Sequence, residues 1–301
     1  MIYKSRTEST ELQILRSLNY RMELSPNDKQ HYFNLKKGYE GEVMFDTLTE
    51  KLHCDCLILN DLLFKVNRTI FQLDTVIINP EQIYLFEVKN FEGDYYYENE
   101  RFYKNPKLEI TNPFSQLSRA ESLFRQLLHS IGYKIPIEAL IVFINPEFSL
   151  YQVPQNKPFI HPTQVNRYLR KLNSIPSRLN SKHLTLADKL ISMHIPDSPY
   201  KQIPTYSFEL LLKGITCKKC TSLSTIMEKK TCICQECGHE ERNSSAIMRS
   251  VREYQLLFPN RKVTTNSIFD WCSVVDSKRK IRTTLKENLQ IVGVHQWSYY
   301  K

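Results

Sequence analysis

Three charged residues lie close together in the middle of the sequence, in two segments that read as neighbouring β-strands. Asp74 lies inside one β-branched and apolar run, while Glu87 and Lys89 end the next one. Because side chains alternate along a strand, Glu87 and Lys89 should face the same side, and so should Gln72 and Asp74. The turn at Asn79-Pro80 favours a hairpin between the two segments. We therefore expect the hairpin to bring Asp74 beside Glu87.

Two carboxylates at adjacent strand ends, with a lysine two residues beyond, have the chemistry of a site for phosphodiester hydrolysis. Hard divalent cations such as Mg²⁺ and Mn²⁺ prefer carboxylate oxygens. Such a cation polarises the phosphodiester and lowers the pKa of bound water, while a lysine positions that water or stabilises developing charge. An arbitrary Glu-x-Lys pair is more often an exposed ion pair. Here the charges interrupt apolar strands, and buried charges rarely lack a partner or a metal, so we favour Asp74 and Glu87 as metal ligands and Lys89 as the catalytic lysine.

A helix predicted over about residues 36–52 carries another carboxylate that could join this site. Gly38, Gly41, Glu42 and Phe45 share one helix face, and two small residues three apart permit close backbone approach. Such an approach would bring Glu42 against the strands. The alternative is a solvated helix glutamate.

The motifs between about residues 34 and 150 together resemble the nuclease-related domain, NERD, of the restriction-endonuclease-like nucleases, whose signature is Asp-(x)n-(Asp/Glu)-x-Lys. The segments that carry the resemblance are Gly38-Tyr39-Glu40-Gly41-Glu42, Asn60-Asp61, Gln72-Leu73-Asp74, Glu87-Val88-Lys89-Asn90 and Asn112-Pro113-x-x-Gln116. Leu73 and Val88 depart from the commoner isoleucine and threonine, at positions expected to point away from the metal.

The resemblance implies a mixed-sheet α/β core with helices on both faces and metal-dependent hydrolysis of DNA. It also implies that Glu42 is an additional Mg²⁺ or Mn²⁺ ligand. For Gln116, near the start of a helix, it implies a role in orienting water or phosphate, and for Gln72 a similar one. A part in bacterial defence is implied only by the kinds of protein with which such nucleases are often found.

Four cysteines near residue 225 have the spacing of a structural zinc site. Cys217 and Cys220 form one Cys-x₂-Cys pair, and Cys234 and Cys237 form the second, 13 residues further on. Such pairs place four thiolates around a tetrahedral Zn²⁺, and a glycine after the second pair is typical of a zinc-ribbon knuckle. Cys232 and His239 are alternative ligands. Cys54, Cys56 and Cys272 are expected to be ordinary thiols.

The positive charge of the chain is concentrated in its last third. The net charge is +9, and residues 201–301 hold 17 Lys and Arg against 9 Asp and Glu. This imbalance favours a polyanion-binding tail. Residues 245–301 read as short helices and a final hairpin that would include Trp297, resembling a helix-turn-helix or winged-helix unit. Its last helix should bury Ile281, Leu285 and Leu289 and present its cationic residues to DNA, namely Lys278, Arg279, Arg282 and Lys286. The alternative is a helical oligomerisation cap with a solvated basic face.

These patterns divide the chain into five predicted parts. They are a helical leader over residues 1–35, the NERD core over 36–150, peripheral helices and a linker over 151–205, a zinc ribbon over 206–243, and the basic helical module over 244–301. The fold class is α/β, because a helix, several strands, a helix and a strand follow one another in the core.

The sequence as a whole predicts a metal-dependent nuclease that cuts DNA and is targeted by its zinc ribbon and basic tail. Double-stranded DNA is favoured because the tail resembles a duplex-groove reader. We expect a cytosolic protein with no membrane association, since an apolar span of about 20 residues and a secretory signal are both lacking. Homo-oligomerisation is left open. The rival interpretation is a non-catalytic DNA-binding regulator, or a protein that gates a partner, with the nuclease fold as scaffold.

Overall fold

The computed structural model describes residues 1–176, 178–294 and 298–301, so the predicted contribution of Trp297 to a final hairpin lies outside the described residues. The chain forms two compact units. The first contains Met1–Glu8 and Phe33–Tyr200, and the second contains Ser9–Tyr32 and Lys201–Lys301. Each unit is therefore built from two separate stretches of the chain.

The elements alternate between helix and strand in the manner of an α/β protein. The helices are α1 Thr10–Arg21, α2 Pro26–Thr49, α3 Pro113–Ser130, α4 Val165–Asn173, α5 Ser181–Met193, α6 Asn243–Leu257, α7 Thr265–Cys272 and α8 Lys278–Asn288. The strands are β1 Ile2–Lys4, β2 Leu57–Val66, β3 Thr69–Ile78, β4 Ile83–Lys89, β5 Gly93–Glu98, β6 Arg101–Lys104, β7 Leu108–Ile110, β8 Ile137–Phe143, β9 Phe148–Tyr151, β10 Phe159–Ile160, β11 Thr225–Glu228, β12 Thr231–Cys234, β13 Glu240–Arg242, β14 Ile291–Val292 and β15 Tyr299–Tyr300.

A six-stranded mixed sheet forms the centre of the first unit, in the order β1-β2-β3-β4-β8-β10. The neighbours β2, β3 and β4 pair antiparallel, whereas β4 with β8 and β8 with β10 pair parallel. A second, four-stranded sheet has the order β7-β6-β5-β9. The predicted mixed sheet is confirmed.

Helices cover both faces of the central sheet, as predicted. On one face, Phe124 of α3 and Leu190 of α5 belong to the same apolar cluster as Leu85 of β4. On the other face, Phe45 of α2 and Leu169 of α4 pack in a cluster with strand residues that include Phe86. Since both faces are covered, β4 is apolar and buried along almost its whole length.

Helix α2 begins ten residues earlier than the sequence analysis placed it. The Oγ of Ser25 accepts a hydrogen bond from the backbone N–H of Asp28 at 3.2 Å, and Pro26 opens the helix. A serine followed by proline is a helix-start signal. The serine side chain accepts a hydrogen bond from a backbone N–H of the first turn, which has no partner within the helix. Proline has no backbone N–H, so no hydrogen bond is lost when it occupies the first helical position. The predicted start near Lys36 was wrong, because the helix begins at this Ser25-Pro26 signal.

The second unit has its own apolar core around the fully buried Trp271 and Tyr254. Helix α1 supplies Leu18 to this core, although it lies more than 200 residues from α6 in the sequence. The guanidinium of Arg21 stacks on the Trp271 ring, with its Cζ 4.0 Å from the ring centroid. Strands β11, β12 and β13 form a small antiparallel sheet beside the cysteine pairs. That arrangement fits the small zinc ribbon that the sequence predicted.

Candidate active site and cysteine cluster

The hairpin of β3 and β4 brings Asp74 and Glu87 to adjoining positions. Thr75 pairs with Phe86 in the antiparallel register. The next residues along the two strands, away from the turn of the hairpin, are therefore Asp74 and Glu87. The Oδ2 of Asp74 accepts a hydrogen bond from the backbone N–H of Val88 at 2.8 Å. Both carboxyl-bearing residues are buried, Asp74 being 8% exposed and Glu87 5% exposed.

Lys89 lies on the same side of β4 as Glu87, as strand alternation predicts. Its Nζ donates to Oε1 of Glu87 at 2.8 Å and to Oε1 of Gln116 at 3.0 Å. Burial on its own would lower the pKa of Lys89, but the charges of Glu87 and Asp74 outweigh it and raise that pKa above its usual value. Lys89 is therefore a fixed cation, and Gln116 at the start of α3 holds its ammonium group in place.

Glu42 approaches the site from α2 and is bound by an arginine that the sequence analysis did not single out. Nη1 of Arg6 lies 2.7 Å from Oε2 of Glu42, and its Nε lies 2.9 Å from Oδ2 of Asp46. Nη2 of the same guanidinium donates to the backbone oxygen of Asp74 at 2.7 Å. Arg6 therefore ties α2 to β3 beside the carboxylates.

A signal for Arg6 exists in the sequence of α2 rather than near Arg6 itself. Glu42 and Asp46 are four residues apart, so the two like charges face the same side of the helix. Such a pair is unfavourable unless a cation lies between them. That spacing predicts a cation against this helix face, but it does not say which one.

Gly41 allows α2 to lie directly against the end of β4. A Cβ built on Gly41 would lie 2.4 Å from Cβ of Asn90. Asn90 is itself fixed, because its Nδ2 donates to the backbone oxygen of Lys37 at 2.8 Å. Gly38 is different, since a Cβ there would meet nothing within 4 Å. Of the two glycines to which the sequence analysis assigned close approach, only Gly41 is needed for it.

Burial and mutual repulsion disfavour the charged form of Asp74. Burial is the largest cause, followed by the charges of Glu87 and Glu42, and together they raise the pKa of Asp74 well above its usual range. Burial also raises the pKa of Glu42, although Arg6 opposes the shift. A divalent cation would relieve this repulsion, and oxygen donors from Asp74 and Glu87 suit Mg²⁺ or Mn²⁺. The donor set therefore fits a hard cation.

The carboxylates are spread wider than the four sulfurs of the cysteine cluster. Among the described residues, only those cysteines bring three or more candidate ligand atoms within 4.8 Å of one another. Glu42 is held by Arg6 and Glu87 by Lys89, which accounts for the wider spacing of the acidic groups. Cation binding by all three carboxylates thus requires their side chains to reorient.

Gln72 lies at the edge of this site. It is exposed, and its Nε2 donates to Oδ1 of Asp61 at 2.9 Å. Side-chain alternation along β3 reverses nearby, because Leu73 and Val76 pack in the same apolar cluster although they are three residues apart. The opposite strand has a positive φ of 56° at Asp61. Phe71 and Leu73 belong to that same cluster, so the alternation changes only between Leu73 and Val76, and the placement of Gln72 and Asp74 on one side stays a prediction.

The four predicted cysteines converge in the second unit. The Sγ atoms of Cys217 and Cys237 are 3.6 Å apart, and those of Cys220 and Cys234 are 3.5 Å apart. A hydrogen bond from the backbone N–H of Cys237 is the largest of the effects that lower the pKa of the Cys234 thiol to about 7. Four sulfurs at this spacing are compatible with tetrahedral zinc, which binds thiolates.

The alternative ligands Cys232 and His239 are not in this cluster. Cys232 is buried in the apolar core of the second unit, and Nε2 of His239 is buried without a hydrogen-bond partner. Gly238 adopts a φ of +67°, and a Cβ there would meet nothing within 4 Å. The glycine of the knuckle is therefore favoured by the backbone conformation and not by a lack of space for a side chain.

Helix α8 presents its basic residues as the sequence predicts. Ile281 and Leu285 are fully buried, and Leu289 packs against the same core. Ser277 begins the helix, with its side chain accepting a hydrogen bond from the backbone N–H of Arg279. The cationic residues on the outer side are all exposed, namely Lys278, Arg279, Arg282 and Lys286.

A mixed sheet between helices, with two carboxylates and a lysine at adjoining strand ends, defines a nuclease-like α/β domain. Residues 37–144 match the family model NERD, the nuclease-related domain. This segment is therefore a nuclease-related domain, which confirms the resemblance found in the sequence. A search of curated proteins gives no match.

Among solved structures, the crystal structure of protein VC1899 from Vibrio cholerae is similar to this chain at 9% identity and a TM-score of 0.26. The match covers 50% of this chain and 36% of that one. In the part of the chain that the structure describes, every helix is too short or too polar to cross a membrane.

Proposed function

We propose that this protein is a divalent-metal-dependent nuclease that hydrolyses DNA phosphodiester bonds. The observation that carries the proposal is the buried arrangement of Asp74, Glu87 and Lys89 at adjoining strand ends. A scaffold would not need two carboxylates so close together, since their repulsion costs stability. A bound metal ion supplies Lewis-acid activation of the phosphodiester and of water.

The residues of the site have distinct roles in this proposal. Asp74 and Glu87 hold the cation, and Glu42 joins them from α2. Lys89 positions the attacking water or stabilises the charge that develops on the phosphate. Gln116 holds Lys89 through the 3.0 Å hydrogen bond between their side chains. Gln72 contacts the DNA backbone at the exposed edge of the site.

In the second unit, we propose that the four cysteines bind one structural Zn²⁺ and that the basic face of α8 binds DNA. Support for zinc comes from the sulfur spacing, since the ligand atoms of all four cysteines lie within 4.8 Å of one another. Support for DNA comes from the four exposed cations of one helix, because phosphate contacts supply most non-specific affinity for DNA.

The decisive experiment compares Glu87→Gln and Lys89→Met with wild type. Plasmid and single-stranded DNA are incubated with each protein in Mg²⁺, in Mn²⁺ and in EDTA. We expect both substitutions to abolish metal-dependent cleavage and to leave DNA affinity near the wild-type value. Glu92→Gln is the matched control, because Glu92 also forms an ion pair with a lysine, Lys37, at 2.6 Å, but its side chain is 59% exposed. Full cleavage by pure Glu87→Gln protein would refute the assignment of the site.

The second candidate is a non-catalytic DNA-binding regulator that uses the nuclease fold as a scaffold. The pairing of Glu42 with Arg6 and of Glu87 with Lys89 favours it, since the acidic groups already have cationic partners. It predicts DNA binding by wild-type protein with no cleavage in either metal. The same incubation therefore distinguishes the two functions.

A further inference from the structure

Helix α8 lies between two basic clefts of the second unit. The first cleft has a volume of about 900 Å³, and its cationic lining is Lys278, Arg279, Arg282 and Lys286. The second has a volume of about 800 Å³, and its charged lining is Lys229, Lys230, Arg242, Arg279, Lys280 and Glu287. Arg279 is common to both clefts. The second cleft therefore extends the basic surface from α8 to the zinc ribbon.

The helix geometry explains why the clefts lie on opposite flanks of α8. Successive residues are about 100° apart around a helix axis. Counted around the axis from Lys278, these angles place Arg282 and Lys286 on the same flank as Lys278. They place Lys280 and Glu287 on the opposite flank. Arg279 falls between the flanks, on the side opposite the buried residues. The exposed part of α8 is thus a ridge with cations on both sides.

The turn between β11 and β12 brings two lysines to the second cleft. Nδ2 of Asn243 donates to the backbone oxygen of Lys229 at 3.1 Å, and the backbone N–H of Asn243 donates to that of Lys230 at 3.0 Å. Both hydrogen bonds use the main chain of the lysines, whose side chains are exposed. Asn243 is the first residue of α6, so the turn is fixed to the helical part of the unit.

The charge of the second cleft selects a polyanion. Five cationic side chains line it together with a single carboxylate, Glu287. The N-terminal residues of α6 and α8 also line it, and backbone dipoles at helix starts favour negative charge.

We propose that the second unit grips double-stranded DNA with α8 in the major groove and one phosphate backbone in each cleft, so that the ribbon turn Lys229-Lys230 is a phosphate-binding element. This rests on the proposed function and adds to it the place of the second strand. The major groove is about 12 Å wide, which admits a helix of about 10–12 Å diameter. Arg279 and Thr283, on the ridge, face the base edges. The deep, narrow major groove of A-form RNA does not admit a helix in this way.

The test measures how the affinity for a DNA duplex depends on salt, with full-length, zinc-loaded protein. Lys229→Gln with Lys230→Gln removes two phosphate contacts, so the plot of log affinity against log salt should become shallower by about 1.8, at about 0.9 for each contact. The matched control is Lys218→Gln with Lys219→Gln, because these lysines lie in the same ribbon, are exposed and line neither cleft. Lys229→Arg with Lys230→Arg should keep the wild-type slope, because the positive charges remain. Zinc content and melting temperature show whether each variant is folded.

The outcomes are separable from those of the proposed function. The proposal is supported if Lys229→Gln with Lys230→Gln gives a shallower slope, the control keeps the wild-type slope, and an RNA duplex is bound more weakly than the DNA duplex. Equal slopes for the 229/230 pair, the 218/219 pair and wild type overturn it, even if Arg282→Gln weakens binding and cleavage persists. The proposal is also overturned if Lys229→Gln with Lys230→Gln lowers the affinity for an RNA duplex as much as the affinity for the DNA duplex. Binding would then not depend on the DNA major groove.

Discussion

Gly41 and Gly38 lie one helical turn apart on α2, and replacing each by alanine tests whether the approach of α2 to β4 positions the site. A Cβ at Gly41 would lie 2.4 Å from Cβ of Asn90, whereas carbon atoms in contact are usually about 3.5–4.0 Å apart. Helix and strand must therefore separate by about 1 Å, since the obstacle is the base of the Asn90 side chain and not its tip. At Gly38 nothing has to move.

Both substitutions gain helix propensity, but only Gly41→Ala also overpacks the contact with Asn90. Alanine in place of glycine stabilises a helix interior by about 1 kcal/mol at both positions. Overpacking applies only at Gly41 and costs about 1–3 kcal/mol. The difference between the two variants therefore isolates the overpacking. For a unit of this size it corresponds to about 2–12 °C in melting temperature, at about 2–4 °C for each kcal/mol.

The effect on catalysis should be larger than the effect on stability. Glu42 follows Gly41, and Lys89 precedes Asn90, so the forced separation displaces two groups of the site. A misplacement of about 1 Å can cost on the order of 100-fold in rate. We expect Gly41→Ala to lose DNA cleavage in Mg²⁺ by up to about that factor and Gly38→Ala to cleave at the wild-type rate. The assays are thermal melting by circular dichroism and initial cleavage rates. If Gly41→Ala were as stable and as active as Gly38→Ala, the contact with Asn90 would not position the site.

Three further predictions concern charge and metal. In metal-free protein, Asp74→Asn should have a higher free energy of unfolding than wild type, and this difference should grow as pH rises. Added Mg²⁺ should remove the difference between the two proteins. The sign follows from the raised pKa of Asp74, since the stability that its protonated form contributes is complete below the pKa of the unfolded chain and is lost as pH rises through the folded value. Denaturant titrations between pH 5 and 8 would contradict this if the difference did not grow. Arg6→Ala should lower the free energy of unfolding by about 3–5 kcal/mol, because it leaves Glu42 and Asp46 without their cation, whereas Arg6→Lys should lose less. Elemental analysis should find one Zn²⁺ per chain, and Cys234→Ser should lower both the zinc content and the melting temperature; an unchanged melting profile in metal-free protein would refute a structural role.

The parts of the site that were predictable from sequence are those governed by short-range geometry. Asp74, Glu87 and Lys89 are held by one hairpin and by strand alternation, and the structure places them together. The cysteine pairs were recognisable because ligand spacing is local. Gln116 needed the family resemblance, since nothing in its own helix indicates that it bonds to Lys89.

The parts that were missed depend on distant partners or on local breaks in a pattern. Arg6 binds residues 36 to 68 positions further along the chain, and no local pattern identifies them. The reversal of side-chain alternation near Leu73 requires knowledge of the opposite strand at Asp61. A helical leader was predicted over residues 1–35, but its sequence does not say which core the helix joins.

The grouping of residues 9–32 with residues 201–301 has a consequence for the order in which the protein folds during synthesis. Every segment of the first unit has left the ribosome once residue 200 has emerged. At that point α6 and Trp271, which pack with α1 in the core of the second unit, have not yet been synthesised. Domains fold as units while the chain grows, at about 5–20 residues per second. At that pace residues 201–301, which belong to the second unit, take roughly 5–20 s, and during this time the apolar face of α1, including Leu18, lacks its native partner. The nascent chain therefore acquires its candidate catalytic fold before it can complete the unit that we propose binds DNA, and α1 is the segment on which a chaperone is expected to act.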